Sequence, residues 1–196
     1  MEKEVFRRFG HEFVDWIADY FENVGQLPVR ATVEPGQIRK RLPLSPPPQG
    51  EPMDGVFRDF KEIIMPGMTH WQHPGWFAYF PANNSPASVL GEILTAGLGA
   101  QCMVWQTSPA AAELEEVVLE WLRQMIGLPE GFSGVIQDTA STATLCALIS
   151  ARERATGFDS NESGTGQALT VYASEEAHSS VEKGVKIAGF GRKNLR

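Results

Sequence analysis

The sequence predicts an α/β fold with parallel strands, preceded by a helical segment. Two stretches carry that expectation. Gly134–Ser150, GVIQDTASTATLCALIS, reads as a short apolar strand, a polar turn and a helix. Leu169–Ala188 repeats the order, with LTVYA as the strand and a helix over Ser179–Ala188. Strand, helix, strand, helix at this spacing implies parallel strands joined by crossover helices. Lys193–Arg196 reads as the approach to a further strand. Two strands make too small a sheet to be stable, so the chain is expected to be the front part of a longer one.

The elements before the sheet follow from periodicity and breakers. Over residues 2–24, Val5, Phe6, Phe9, Phe13, Trp16, Ile17, Tyr20 and Phe21 recur at three- and four-residue steps, which predicts an amphipathic helix. Its apolar face needs a partner, either its own domain or another subunit. Gln26–Pro52 carries seven prolines. It reads as an extended strap with one short helix opened by Glu34–Pro35 and ending near Arg41. A helix is expected at about Asp54–Ile64, stopped by Pro66–Gly67. Asn83–Asn84–Ser85–Pro86 starts another, to about Leu98, where Gly97 and Gly99 break it. Ser108–Pro109 starts the next, to about Ile126, stopped by Gly127 and Pro129. The domain reading is 1–82 as a helical, proline-rich segment and 83–196 as the incomplete start of a larger α/β domain.

Composition narrows the function classes. Of 196 residues, 42% are hydrophobic and 21% charged, as in a soluble globular protein. A net charge of −7 and the lack of a dense basic run argue against nucleic acid as partner. No stretch reaches the ~18 apolar residues of a membrane helix. MEKEVFRRFG lacks the apolar core of a signal peptide. Cys102 and Cys146 fall in apolar helical patterns and are expected to be buried, reduced thiols. A cytoplasmic protein is the expectation.

Three stretches carry chemistry. At the helix start, Asp138, Thr139 and Ser141 are residues that cap helices. The same start exposes backbone N–H groups and the positive end of the macrodipole, which suits a phosphate. A plain cap and an anion site both fit. His178 lies just past the end of a predicted parallel strand, the edge where open α/β sheets bind ligands. A structural histidine fits there too. His178 with Ser179 and Ser180 does not make a nucleophile system, because sequence neighbours do not form a serine–histidine pair. Thr69–Pro81, THWQHPGWFAYFP, is aromatic and broken by proline, suited to a pocket wall or a packed loop. His70 and His73 lack a third ligand cluster nearby, so no metal site is expected.

Four motifs in order, HWQHPGWFAYFP, WQTSPAAAELE, GVIQDTASTATL and EEAHSSVEKG, span nearly the whole chain. Together they resemble the pyridoxal-phosphate-dependent group II amino-acid decarboxylases, and within them the aromatic-L-amino-acid (dopa, tyrosine, tryptophan) decarboxylases. The resemblance implies an aspartate-aminotransferase-like fold (type I) and a homodimer whose N-terminal segment wraps around the partner. It implies pyridoxal 5'-phosphate as cofactor and decarboxylation of an aromatic amino acid to the arylalkylamine and CO2. Thr139, Ala140 and Ser141 match the phosphate turn. His178 matches the catalytic histidine that stacks on the cofactor ring beside the substrate carboxylate. Trp71, Tyr79, Phe80, Pro81 and Ala82 match the substrate-pocket segment, with Ala82 standing where animal members have threonine. Gln101 and Met103 match positions reaching the other subunit's pocket, and Trp105 and Pro109 the motif beside it. Asp138 stands where many members have glycine, and is expected to point away from the phosphate or cap the helix. No lysine here matches the one that carries the cofactor, so these 196 residues alone are expected to be inactive. A second function class, a non-catalytic dimerisation module, is motivated by the aromatic first helix.

Overall fold

The structure is a computed structural model describing residues 1–80, 84–166 and 168–196. The chain forms two compact units, Met1–Ala100 and Gln101–Arg196.

In the first unit, α1 (Lys3–Asn23) lies against α3 (Met53–Asp59) and the π turn Phe60–Ile64 that continues it. The middle of the aromatic face of α1 is spent on this contact. Phe13 meets Phe57 at 4.7 Å between ring centroids, and Trp16 meets Phe60 edge-on at 5.1 Å. Phe9, Val24 and Phe57 are buried. Burying each such side chain contributes about 1.5–3 kcal/mol. Arg8 reaches Asp54 with hydrogen bonds of 3.0 and 3.2 Å. That pair is exposed, and such pairs add at most about 1 kcal/mol.

The proline strap divides in two. Its first part runs along the aromatic loop: Val29 accepts the His70 N–H at 3.0 Å, and Thr69 Oγ1 accepts the Ala31 N–H at 3.3 Å. After the short helix α2 (Gln37–Arg41), residues 41–52 are exposed. Helix α4 (Pro86–Leu98) opens with a capping box in which Ser85 and Ser88 bond each other's backbone N–H. Gly97 is inside this helix, and Gly99 in the left-handed conformation ends it.

The second unit holds α5 (Pro109–Met125), α6 (Ala140–Thr156), α7 (Ser160–Ser163) and α8 (Ser180–Ile187). Helix α7 forms in the link between α6 and residues 171–173, and Ser163 Oγ bonds Asp159 Oδ1 at 3.2 Å. The expected strand at 134–136 is unpaired among the described residues, because no neighbouring backbone meets its N–H and C=O groups. Residues 171–173 do pair, in parallel, with 194–196. Val171 N–H bonds Asn194 O at 2.9 Å, Arg196 N–H bonds Val171 O at 2.9 Å, and Ala173 N–H bonds Arg196 O at 2.8 Å. The segment after α8 therefore completes a strand–helix–strand crossover. Cys102 and Cys146 are in no disulfide, and both are exposed rather than buried. Cys146 is adjacent to Leu145, the residue that faces α8, and so lies around the helix from it.

Helices α6 and α8 pack closely, and Gly184 makes that possible. A methyl group on Gly184 would lie 2.8 Å from Leu148 Cδ1 and 3.9 Å from Leu145 Cα. Four residues further along both helices, Arg152 Nη1 donates to Ala188 O at 2.6 Å. The contacts advance in the same sense, so the two helices run parallel. Arg152 also serves the carbonyl end of α8, where a cation is favoured. Its guanidinium bonds Glu153 Oε1 at 2.7 Å, within a pair largely withdrawn from solvent.

In the first unit, buried His70 shares a 2.9 Å hydrogen bond with the Tyr20 hydroxyl. Burial, with the charge of His73 adding to it, holds the His70 pKa below the ordinary 6.5, and burial raises that of Tyr20. The unfolded chain thus takes up a proton at His70 first as pH falls. The stability of the neutral ring is complete above about pH 6.5 and lost as pH drops through the lower folded value. Melting temperature measured from about pH 8 to about pH 5 should fall below about 6.5, and less steeply in His70→Asn. Tyr20→Phe, which strips the buried ring of its partner, is expected to cost about 1–3 kcal/mol in denaturant unfolding. Gly184→Val should destabilise by about 1–3 kcal/mol by overpacking against α6.

Candidate active site

The parallel register of α6 and α8 decides what meets what. Gly184 faces Thr144, Leu145 and Leu148. Stepping back one turn along each helix puts Ser180 level with Ser141. The turn Thr139–Ser141 and His178 therefore lie at the same end of the helix pair.

The α6 end presents first-turn backbone N–H groups at an exposed turn. Thr139 is the N-cap, extended in backbone, with its hydroxyl accepting the Thr142 N–H at 3.2 Å and touching the Thr142 hydroxyl at 3.0 Å. Capping by Thr139 leaves the N–H groups of Ala140 and Ser141 directed off the helix end, as first-turn donors are. Thr139, Ala140 and Ser141 are all exposed. Asp138 is not the cap: it is exposed, and the extended Thr139 takes that position. A dianionic phosphate fits this donor set, N–H groups and a serine hydroxyl at the positive end of a 17-residue helix.

The α8 end carries His178. Its Nδ1 accepts the Ser180 N–H at 3.2 Å and lies 2.9 Å from Ser180 Oγ. Nδ1 is thereby occupied, while the residue is exposed. A cleft of about 400 Å³ lies beside it, lined by Ser174, Glu175, His178, Ser179, Glu182 and Arg196. Glu182 is bound by Lys186 and Arg192, both at 3.2 Å, and these cations hold its carboxyl below the usual range.

The expected substrate residues fall in both units. In the first, Trp71 stacks on Tyr79 at 5.9 Å and meets Trp76 at 5.1 Å. Tyr79 adopts a left-handed backbone (φ 57°), uncommon for a non-glycine residue, and is 84% exposed. Phe80 is 97% exposed and joins none of these ring contacts. Pro81 and Ala82 lie outside the described residues. In the second unit, Gln101 and Met103 are exposed in an irregular stretch. Trp105 opens a 3-10 turn (Trp105–Thr107), and its indole N–H donates to Glu113 Oε1 at 3.0 Å. Pro109 is the first residue of α5. His70 and His73 do not converge: His70 Nδ1 faces Tyr20, and His73 Nδ1 accepts the Gly75 N–H at 2.8 Å. Among the described residues no group of three His, Cys, Asp or Glu is placed to hold a metal.

Four supporting residues escaped the sequence reading. Gly184 and Arg152 set the helix register, Ser180 engages His178, and Glu113 anchors Trp105. Only Gly184 left a signal, a glycine inside a helical pattern, which marks a close approach.

The conserved domain of pyridoxal-dependent decarboxylases matches residues 35–196. Over its full length the chain is 44% identical to a phenylacetaldehyde synthase of Petunia hybrida and 44% identical to tryptophan decarboxylase 2 of rice, covering 40% of each. Its structure is similar to that of Catharanthus roseus tryptophan decarboxylase in complex with L-tryptophan. The TM-score is 0.91 at 42% identity, over 100% of this chain and 43% of that one. The chain thus spans about 40% of the length of the curated relatives it matches. The fold class expected from the sequence, type I of the pyridoxal-phosphate enzymes, is the one observed.

Thr139→Ala removes the α6 cap and should lower stability by about 1 kcal/mol, read from the denaturant midpoint.

Proposed function

The chain belongs to the pyridoxal-dependent decarboxylases, and on that premise we propose that the full-length protein converts an L-aromatic amino acid to its arylalkylamine and CO2. The observation that supports this most is the common end of α6 and α8, where anion-binding N–H groups and a tethered imidazole lie together. Pyridoxal 5'-phosphate is the proposed cofactor. When bound, it supplies an electron sink for the pair released as the Cα–carboxylate bond breaks.

The chain's own residues have separate tasks. Thr139 holds the turn in shape. The Ala140 and Ser141 N–H groups and the Ser141 hydroxyl bind phosphate. His178 would hold the cofactor ring and serve the substrate carboxylate. Trp71, Tyr79 and Phe80, with Pro81 and Ala82 following, recognise the aromatic side chain and exclude water. Gln101, Met103, Trp105 and Pro109 serve the neighbouring subunit's site. An aromatic rather than an acidic substrate is favoured because Thr69–Pro81 contains five aromatic rings and neither lysine nor arginine.

A homodimer wrapped by residues 1–82 is part of the proposal. It is supported by apolar surface left open on the first unit, including Phe6 at 70% exposure. No helix among the described residues is long and apolar enough to cross a membrane. A cytoplasmic location is the accompanying proposal, supported by two thiols outside any disulfide.

The test uses the full-length protein loaded with cofactor and offered tryptophan, tyrosine, phenylalanine, dopa and glutamate. CO2 and a matching amine from at least one aromatic substrate, and none from glutamate, are expected. Absence of CO2 from every aromatic substrate overturns the reading. An aldehyde in place of the amine would move the protein to the synthase branch represented by the Petunia relative. His178→Gln should lower kcat about 100-fold or more. Ser141→Ala should weaken cofactor binding about tenfold, the effect of one hydrogen bond to a charged acceptor.

A further inference from the structure

We propose that Ser180 is a positioning residue for His178, fixing the tautomer and orientation of the imidazole so that Nε2–H is the donor it turns outward. The assignment begins with a one-way bond. The Ser180 backbone N–H lies 3.2 Å from His178 Nδ1, and a backbone N–H can only donate. Nδ1 therefore offers its lone pair, and the proton of the neutral ring is on Nε2. The Ser180 hydroxyl, 2.9 Å from the same atom, then also donates.

The arrangement is held from below. Ser180 is the first residue of α8, and its N–H is one of the groups a helix start leaves without a partner. Ser179, at the cap position, makes no side-chain cap. The imidazole of His178 does the capping instead. Ser180 is only 8% exposed, on the helix that Gly184 seats against α6. Turning the ring over would strip both the N–H and a nearly buried hydroxyl of the single Nδ1 lone pair they share, so ring rotation is opposed by this bifurcated hydrogen bond.

The consequence for chemistry rests on the proposed function. A substrate carboxylate beside His178 needs a donor. The opposite tautomer would set a lone pair against its negative charge, and Ser180 removes that alternative without touching the substrate. This is the outer-partner device by which a hydrogen bond to one ring nitrogen decides what the other carries.

The test is nitrogen NMR of the imidazole in full-length protein labelled at histidine, without cofactor or substrate, with His178→Gln identifying the signal. The wild type should show unprotonated Nδ1 and protonated Nε2. Ser180→Ala should lower the ratio of Nε2–H to Nδ1–H forms about fivefold, the equivalent of one ordinary hydrogen bond, and Ser180→Thr should restore it. A dominant Nδ1–H form in the wild type, or an unchanged ratio in a folded Ser180→Ala, overturns the proposal. If Ser180→Ala does not fold, the wild-type tautomer and the Ser180→Thr spectrum decide. The measurement needs no turnover. A protein with the expected tautomer but no CO2 release sinks the proposed function and supports this assignment, and the reverse pattern does the opposite.

Discussion

The close approach of α8 to α6 at Gly184 is the constraint on which the second unit depends. A side chain at that position would push the helices apart, because Leu148 already fills the space 2.8 Å away. With glycine, the helices come into contact, and the Arg152–Ala188 bond sets their register one turn further on. The register matters to the proposed site because its two groups stand at the starts of these helices. A sliding of one turn, about 5.4 Å, would shift the proposed phosphate turn away from His178 by more than a hydrogen bond can span. Interior packing therefore sets how the two helix starts are placed side by side.

The first unit solves a different problem. Its aromatic loop contains proline and glycine and has no regular structure of its own. Order is imposed through backbone bonds to Val29 and Ala31 and through the Tyr20–His70 pair. Helix α1 is thus a frame as well as a packing element: Phe13 and Trp16 hold α3, while Tyr20, one turn further on, holds the loop. The loop's inner residue, His70, is buried, whereas Tyr79 and Phe80 stand out in solvent. A tethered base with solvent-exposed aromatic rings at its tip is the form expected of a wall awaiting something to enclose.

Much of this was legible in the residues. Helix spans followed from periodicity and from Pro and Gly boundaries, because those signals are local. Thr139 as a cap was legible for the same reason. Features requiring a partner were not. The strand at 134–136 has the right composition, but strand structure depends on a neighbouring backbone, and none meets it among the described residues. Lys193–Arg196 was legible as the approach to a strand, but its pairing with 171–173 was not, because four residues with two basic side chains carry little strand signal. Cys102 and Cys146 were expected inside because apolar neighbours suggest burial, yet a helix buries one face and Cys146 is off it. Asp138 and Thr139 are both good caps, and only backbone geometry separates them. Ser180 was weighed as a nucleophile and dismissed; its service to His178 depends on a two-residue turn that spacing alone does not reveal.

On the proposed function, an acidic chain has to hold a phosphate and an amino-acid carboxylate, and that calls for a local positive field. With a net charge of −7, long-range attraction works against both anions. The proposed site answers with fixed dipoles: the start of α6 presents N–H donors, and on the proposed tautomer the Nε2–H of His178 adds another. Glu182 is occupied by Lys186 and Arg192, while Thr139 rather than Asp138 takes the cap. Oriented dipoles act over a few ångströms and lose strength quickly beyond that. A site of this kind discriminates by position, which is the property a decarboxylase needs if one particular bond of the substrate is to be the one that breaks.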